Sequence, residues 1–215
     1  MGSVPDQPTS YNEVAGSSIH RLAGLADGIF AVGMTLLVLG LAVPALDAVK
    51  SEGDLLGQLG GLLPAVVTYF MSFLTLGIFW VAQQTQLGRL ERANRNFTWI
   101  HLGFLLAVTL IPFSTALLAR FHWSRVALVV YWLNILVLGA VLLLAFEYGA
   151  RAKLFPEADT ASIARLTRRR VYGAQALYLV GMLLCLIDTH LSIAAIVLIQ
   201  LNYAVAPRIP LLHRL

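Results

Sequence analysis

Six long, continuously apolar runs are the feature of this sequence that most limits how the chain can fold. They cover residues 19–43, 55–84, 97–119, 126–146, 171–187 and 191–206. About twenty apolar residues cross a bilayer as an α-helix, whereas the strands of a membrane β-barrel are about ten residues long and alternate in polarity. The runs therefore predict an all-α integral membrane protein with six transmembrane helices.

The composition supports the same conclusion. The chain is 59% hydrophobic and only 12% charged, and its mean hydropathy is +0.79, whereas soluble domains carry about a quarter charged residues. These values exclude a soluble globular domain and a nucleic-acid-binding domain. The single cysteine, Cys185, excludes an internal disulfide. We predict one six-helix domain over residues 18–207, between a disordered tail at 1–17 and a short basic tail at 208–215.

Loop charges predict the orientation of these helices. If both termini are cytoplasmic, the inner segments contain Arg21 and the basic groups at 89–95, 151–170 and 208–214, whereas the outer segments contain only Lys50, Arg120 and Arg125. The positive-inside rule therefore predicts a multi-pass protein of the cell membrane with both termini in the cytoplasm. The arginine run 168–170 then either binds anionic membrane lipids, which are preferred to nucleic acid as partners, or only orients the fifth span, and we favour the second role.

Motifs for catalysis or metal binding are scarce. The sequence has no HExxH, CxxC, GxSxG or Walker-type pattern, and its five histidines have no metal-ligand spacing. Asp27, Glu147 and Asp188 lie near the ends of predicted spans, which is a weak basis for a proton-coupled transporter. We therefore expect that the protein is not an enzyme and that it binds no cofactor and no fixed metal ion.

The first span carries an aliphatic stripe. At 100° per residue, Val32, Leu36 and Leu39 fall within one narrow stripe, with Gly28 and Thr35 on its flank. Such stripes are more often packing surfaces than pore linings, so periodicity alone leaves the role of this one open.

An acidic residue lies on the other side of the same helix. Asp27 points away from the stripe, which suggests that it packs against protein, where Arg21 or polar side chains of the second and third spans satisfy it. The alternative is that Asp27 is only a helix-start acid favoured by the macrodipole.

The first span resembles a known signature. Residues 21–39 are similar to the first helix of the transmembrane protein 175 family, the endosomal and lysosomal potassium channels and their prokaryotic relatives. That signature has an arginine, three residues, Phe-Ser-Asp, and then an apolar helix with a threonine. Phe79-Trp80 in the second span, the Pro-Phe-Ser-Thr sequence at 112–115 and the six-span layout extend the resemblance.

The chain departs from the family pattern at two places. Leu25 and Ala26 replace the signature Phe and Ser, and Gln83-Gln84 stand where relatives often have a histidine pair. Ala26 removes a hydroxyl from the network that would hold Asp27, so the hydrogen bonding of that network does not carry over.

The resemblance implies a prokaryotic, single-repeat potassium channel. In the family, four subunits assemble with their first helices around a central pore, so the expected partners are further copies of the chain, membrane lipids and permeating cations. The implied pore constriction is Val32, Leu36 and Leu39. The implied selectivity hydroxyl, beside which K⁺ would pass, is Thr35. Arg21 and Asp27 would form a structural network of the first helix.

Other functions remain open at this point. An aliphatic constriction does not guarantee discrimination between cations, so a weakly selective cation or proton leak is the first alternative. A non-conducting membrane scaffold or a small-solute carrier is the second.

Overall fold

The computed structural model describes the backbone of residues 18–156 and 160–205 and the side chains of residues 18–156 and 164–204. The described part of the chain is helical and contains no strand, which confirms the all-α prediction. The predicted tails at 1–17 and 208–215 lie outside it. The α-helices, in chain order, are α1 (Ile19–Leu36), α2 (Glu52–Gly61), α3 (Leu63–Leu87), α4 (Arg95–Thr109), α5 (Ile111–Arg120), α6 (Arg125–Arg151), α7 (Thr160–Leu183) and α8 (Thr189–Val205).

The first helix begins at a polar cap and ends before a proline. The Ser18 hydroxyl accepts a hydrogen bond from the backbone N–H of Arg21 at 3.4 Å, which satisfies one of the free donors of the first turn. After Leu36 the chain continues as a 3-10 turn, Leu37–Gly40. The regular helix is therefore shorter than the predicted span 19–43. Pro44 restricts only Val43, so it does not account for the earlier end at Leu36.

Prolines divide two of the predicted spans. The predicted second span 55–84 is two helices, α2 and α3, which meet at Leu62, and Pro64 lies in the first turn of α3. Proline is tolerated there because that N–H has no helical partner. The predicted third span is divided at Leu110 by Pro112, whose ring would clash with the carbonyl four residues earlier in a continuous helix.

Within the part of the chain that the structure describes, four helical segments are long and apolar enough to cross a membrane. By length and composition, these are Ile19–Gly40, Leu63–Leu87, Arg95–Arg120 and Arg125–Arg151. The predicted fifth and sixth spans correspond to α7, whose first half is rich in arginine, and to α8, whose 17 residues are about 26 Å long at 1.5 Å per residue. Four apolar segments are thus established, and six crossings remain a prediction.

The predicted long connection over 151–170 is wrong in its second half, since α7 begins at Thr160. Arg168 explains part of this difference. Its Nη2 atom donates to Glu147 Oε2 at 2.7 Å, and its Nε atom donates to the other carboxylate oxygen, so the start of α7 is tied to the end of α6. Arginine is also a good helix former, and apolar periodicity alone does not report that preference.

The helices pack around one large apolar core. Helix α1 contacts α3, α4 and α5, while α3 also contacts α8, and α6 contacts α4, α5 and α7. Fully buried side chains at the centre include Phe30, Met71, Phe104, Tyr131 and Ile196. A second apolar cluster encloses the loop that follows α3 and the end of α6.

A buried hydroxyl network fixes α3 among its neighbours. The Thr115 hydroxyl donates to Ser72 at 2.6 Å, Ser72 contacts the Tyr131 hydroxyl at 3.3 Å, and Thr75 contacts the same hydroxyl at 2.9 Å. The Gln200 amide donates to Thr75 at 2.7 Å. Helices α3, α5, α6 and α8 are thereby joined by hydrogen bonds, which gives α1 a fixed surface to pack on.

Candidate pore-lining face of the first helix

One face of α1 is packed into the core. Leu22, Ala26, Phe30 and Leu37 are at most 5% exposed, and the Phe30 ring centroid lies 6.1 Å from that of Phe104. Gly33 belongs to this face, and a Cβ placed there would lie 3.7 Å from Leu76, which is an ordinary contact. Burial recurs every three or four residues, so the opposite face of the helix has a defined direction.

The opposite face carries the aliphatic stripe and remains uncovered. Val32 is 56% exposed and Leu39 is 74% exposed, although both are large apolar residues. Leu36 lies further round the helix at 44% exposure, and with Leu39 it borders a cavity of about 200 Å³ between the end of α1, α3 and α5. The stripe is thus outside the core of its own chain, and Val32 and Leu39 are its most open members.

Thr35 lies on the same uncovered face. Its hydroxyl donates to the Val32 carbonyl at 2.9 Å, within its own helix. Because the donor proton is used there, the Thr35 oxygen presents its remaining lone pairs outward. An exposed threonine between two large aliphatic residues is therefore an acceptor in an otherwise apolar edge.

Asp27 is held by the second long helix. Its Oδ1 atom accepts a hydrogen bond from Trp80 Nε1 at 2.8 Å and another from Gln84 Nε2. Trp80 and Gln84 are four residues apart on α3, which places both side chains on one face of that helix. Gln84 thus binds the acid at a position where the family pattern often has a histidine.

The geometry distinguishes between the two interpretations of Asp27. Asp27 lies well beyond the first turn of α1, whereas the macrodipole effect fades within that turn, so interhelical hydrogen bonding is the better account. Within the described residues no ion pair joins Arg21 to Asp27. Arg21 instead lies exposed at the start of α1.

The structure brings two histidines together that the sequence left scattered. His122 Nδ1 lies 3.1 Å from His190 Nε2, and His190 Nδ1 lies 3.6 Å from Asp188 Oδ1. These residues join the α5–α6 loop to the start of α8, a contact without a local sequence signal. In the described part of the chain no group of three or more potential ligands is arranged to hold a metal.

Comparison with known proteins identifies the family. A model described as "Endosomal/lysosomal potassium channel TMEM175" matches residues 21–112. The chain is also 31% identical to the protein named "Potassium channel B446_29190" of Streptomyces collinus, over 85% of this chain and 90% of that protein. The chain belongs to the TMEM175 family.

Further relatives of this TMEM175 chain cover nearly its whole length. It is 30% identical to "Potassium channel Cha6605_3372" of Chamaesiphon minutus, over 87% of this chain and 94% of that one. The crystal structure titled as a lysosomal potassium-selective channel TMEM175 homolog from the same organism matches with a TM-score of 0.75 and 28% identity, covering 87% of this chain and 97% of the other. With its four long apolar segments, this TMEM175 member is a multi-pass membrane protein of an ion-channel family, not of an enzyme family.

Proposed function

We propose that this protein is a potassium-selective monovalent cation channel in which four copies place their α1 helices around a central pore. The observation that carries the proposal is the uncovered α1 edge, where Val32, Thr35 and Leu39 face away from a tightly packed core. The relatives that match most of the chain are named potassium channels, which supports the same function.

The composition of this edge favours a pore over a lipid contact. Thr35 adds an oxygen acceptor to this edge, which a passing cation can use. Gly24 and Gly28 lie on the same edge, and the space next to their Cα atoms is open. Asp27, the one acid of the helix, is bound to α3, and the exposed Arg21 lies only at the start of the edge, so no acidic side chain of α1 faces it.

Selectivity follows from the cost of dehydration. A ring of aliphatic side chains from Val32, Leu36 and Leu39 forces a cation to lose part of its water shell. Potassium is larger and less tightly hydrated than sodium, so it loses less. The Thr35 oxygens replace part of the lost shell, and the aliphatic rings close the pore by dewetting.

The remaining topology is part of the proposal. We place the channel in the cell membrane with six crossings in residues 18–207 and both termini in the cytoplasm, as the loop charges favour. Helix α8 is about 26 Å long against an apolar core of about 30 Å, so in this proposal it crosses with little tilt and the bilayer thins locally. The permeant K⁺ is the only metal ion that this function requires.

Potassium flux tests the proposal directly. The purified protein is reconstituted into liposomes, and currents are recorded with potassium on one side and sodium on the other. We expect a reversal potential that shows preference for potassium. Thr35→Ala should move the reversal potential towards zero, which corresponds to a severalfold decrease in the potassium-to-sodium permeability ratio. Thr35→Ser should retain most of the preference.

Thr109 offers a matched control. It is also exposed, and its hydroxyl donates to the Leu106 carbonyl at 2.7 Å, which repeats the Thr35 geometry on α4. Thr109→Ala should leave the reversal potential unchanged. Equal shifts for the Thr35→Ala and Thr109→Ala variants would contradict the pore role of Thr35.

The same liposomes distinguish the alternative functions. A pH-sensitive dye detects a proton leak, and equal potassium and sodium currents indicate a weakly selective pore. Saturable uptake without single-channel steps indicates a carrier, and the absence of any flux indicates a scaffold. Each of these results would refute potassium selectivity.

A further inference from the structure

A second pocket lies where the loop after α3 meets α6 and α7. Its volume is about 580 Å³. Much of its lining is apolar, and these side chains are Ala82, Leu142, Phe146, Phe155, Leu166 and Val171. Leu166 is 67% exposed, so the pocket is continuous with the outer surface of the helices rather than enclosed by the core.

Two arginines border this apolar pocket. Arg89 comes from the loop after α3 and Arg170 from α7, and both are exposed. Within the described residues the ion pair of this region uses Arg168 and Glu147, so neither Arg89 nor Arg170 is engaged in it. Glu91 also lines the pocket. Two positive charges against one negative charge leave a site that attracts a singly charged anion.

Gln86 adds an unused hydrogen-bond donor at the same place. It lines the pocket, it is 8% exposed, and its Nε2 atom has no hydrogen-bond partner. A buried donor without a partner is costly, so an acceptor oxygen would be stabilised here once the Gln86 amide, which has less than 1 Å² of accessible surface at this atom, turns towards the pocket. Arginine and an amide N–H are donors only, and their shared complement is a group rich in acceptors, such as a phosphodiester.

We propose that this pocket binds an anionic phospholipid, with its phosphate between Arg89 and Arg170 and an acyl chain along the apolar wall. The chemistry of the lining favours a lipid over free phosphate, because a free ion would leave the wall formed by Phe146 and Phe155 without a partner. The loop charges place this end of the helices at the inner leaflet, where basic pockets between helices bind anionic head groups. No residue of α1 lines the pocket, so lipid binding there can be measured without conduction.

Native mass spectrometry of the full-length protein in detergent tests this assignment. Dioleoyl phosphatidylglycerol, dioleoyl phosphatidylcholine and inorganic phosphate are added separately. We expect phosphatidylglycerol to remain bound preferentially over phosphatidylcholine, and we expect Arg170→Gln and Arg89→Gln each to reduce that preference by about fivefold. Inorganic phosphate should not compete at equal concentration.

Arg165→Gln is the matched control, since Arg165 is exposed on the same helix but does not line the pocket. It should retain the wild-type preference. Thr85→Trp, at an exposed lining position, should exclude the acyl chain without removing a charge, and it covers the case in which an arginine variant fails to fold. Equal retention of the two lipids by the wild-type protein, or equal losses in the Arg165 and Arg170 variants, would overturn the proposal. The proposal would also be overturned if inorganic phosphate displaced phosphatidylglycerol, or if the Thr85→Trp variant retained phosphatidylglycerol as well as the wild-type protein does.

Discussion

Truncating Leu39 separates a pore-lining role from a packing role. Leu39→Ala replaces an isobutyl group with a methyl group at the position that α1 leaves most open. If four such side chains form the narrowest ring, their removal widens the pore and lowers the cost of dehydration for a passing ion. We expect potassium current per channel to rise severalfold, with a weaker preference for potassium over sodium.

The structure also sets the expected cost in stability. Leu39 is 74% exposed, so only about a quarter of the 1.5–3 kcal/mol gained by burying a leucine is at stake within one subunit, or about 0.5 kcal/mol. Leu37, two residues earlier, is 3% exposed and packs in the core, and Leu37→Ala should cost about 2–5 kcal/mol. Leu39→Ala should therefore change the current at little cost in stability. Leu37→Ala should lower the stability with little change in current.

Single-channel recording and thermal unfolding in detergent measure the two effects. Leu106, which is 65% exposed on α4, provides an exposed control outside α1, and Leu106→Ala should change neither quantity. An unchanged current in the Leu39→Ala variant, or the same increase in the Leu106→Ala variant, would refute the assignment of the constriction.

Two further predictions concern the contacts around the helices. Trp80→Phe removes the 2.8 Å hydrogen bond to Asp27 and should lower the free energy of unfolding by about 1 kcal/mol. Unfolding in detergent measures this change, and Trp99→Phe, a substitution at an exposed position, is the control. The backbone N–H of Leu191 donates a hydrogen bond to Asp188, and this bond is the main cause of the lowered pKa of that carboxyl. The stability that this contact contributes is present above the ordinary pKa of aspartate. It is lost as the pH falls below about 4. In the Asp188→Ala variant, the melting temperature should fall less steeply as the pH is lowered below about 4. The same pH dependence as in the wild-type protein would contradict the prediction.

The sequence predicted the features that depend on local periodicity. The two faces of α1 follow from its 3.6-residue period, and the same period places Val32, Thr35 and Leu39 on one edge. The break near Pro112 also has a local cause, the missing N–H of proline, although the run 97–119 was predicted as one span. By contrast, four of the ten residues of α2 are glycines, including its last residue. Helix α7 begins in a charged stretch. Apolar periodicity therefore did not predict the bounds of either helix.

Tertiary contacts do not follow from local periodicity. Trp80 and Gln84 reach Asp27 only after α1 and α3 pack together, and the same is true of the contact between His122 and His190, which are 68 residues apart. The spacing of Trp80 and Gln84 was the one available signal, because two polar side chains four residues apart on an apolar helix share a face. The assembly of subunits depends on surfaces between copies, and the periodicity of a single chain does not specify them.

A density map of the protein assembled in a lipid nanodisc tests the central claim most directly. The account predicts fourfold symmetry, with Val32, Thr35 and Leu39 of each subunit facing a common axis and Leu22, Phe30 and Leu37 facing the core. A map in which the Val32, Thr35 and Leu39 edge faces lipid, while another helix surrounds the axis or no axis is present, would contradict it.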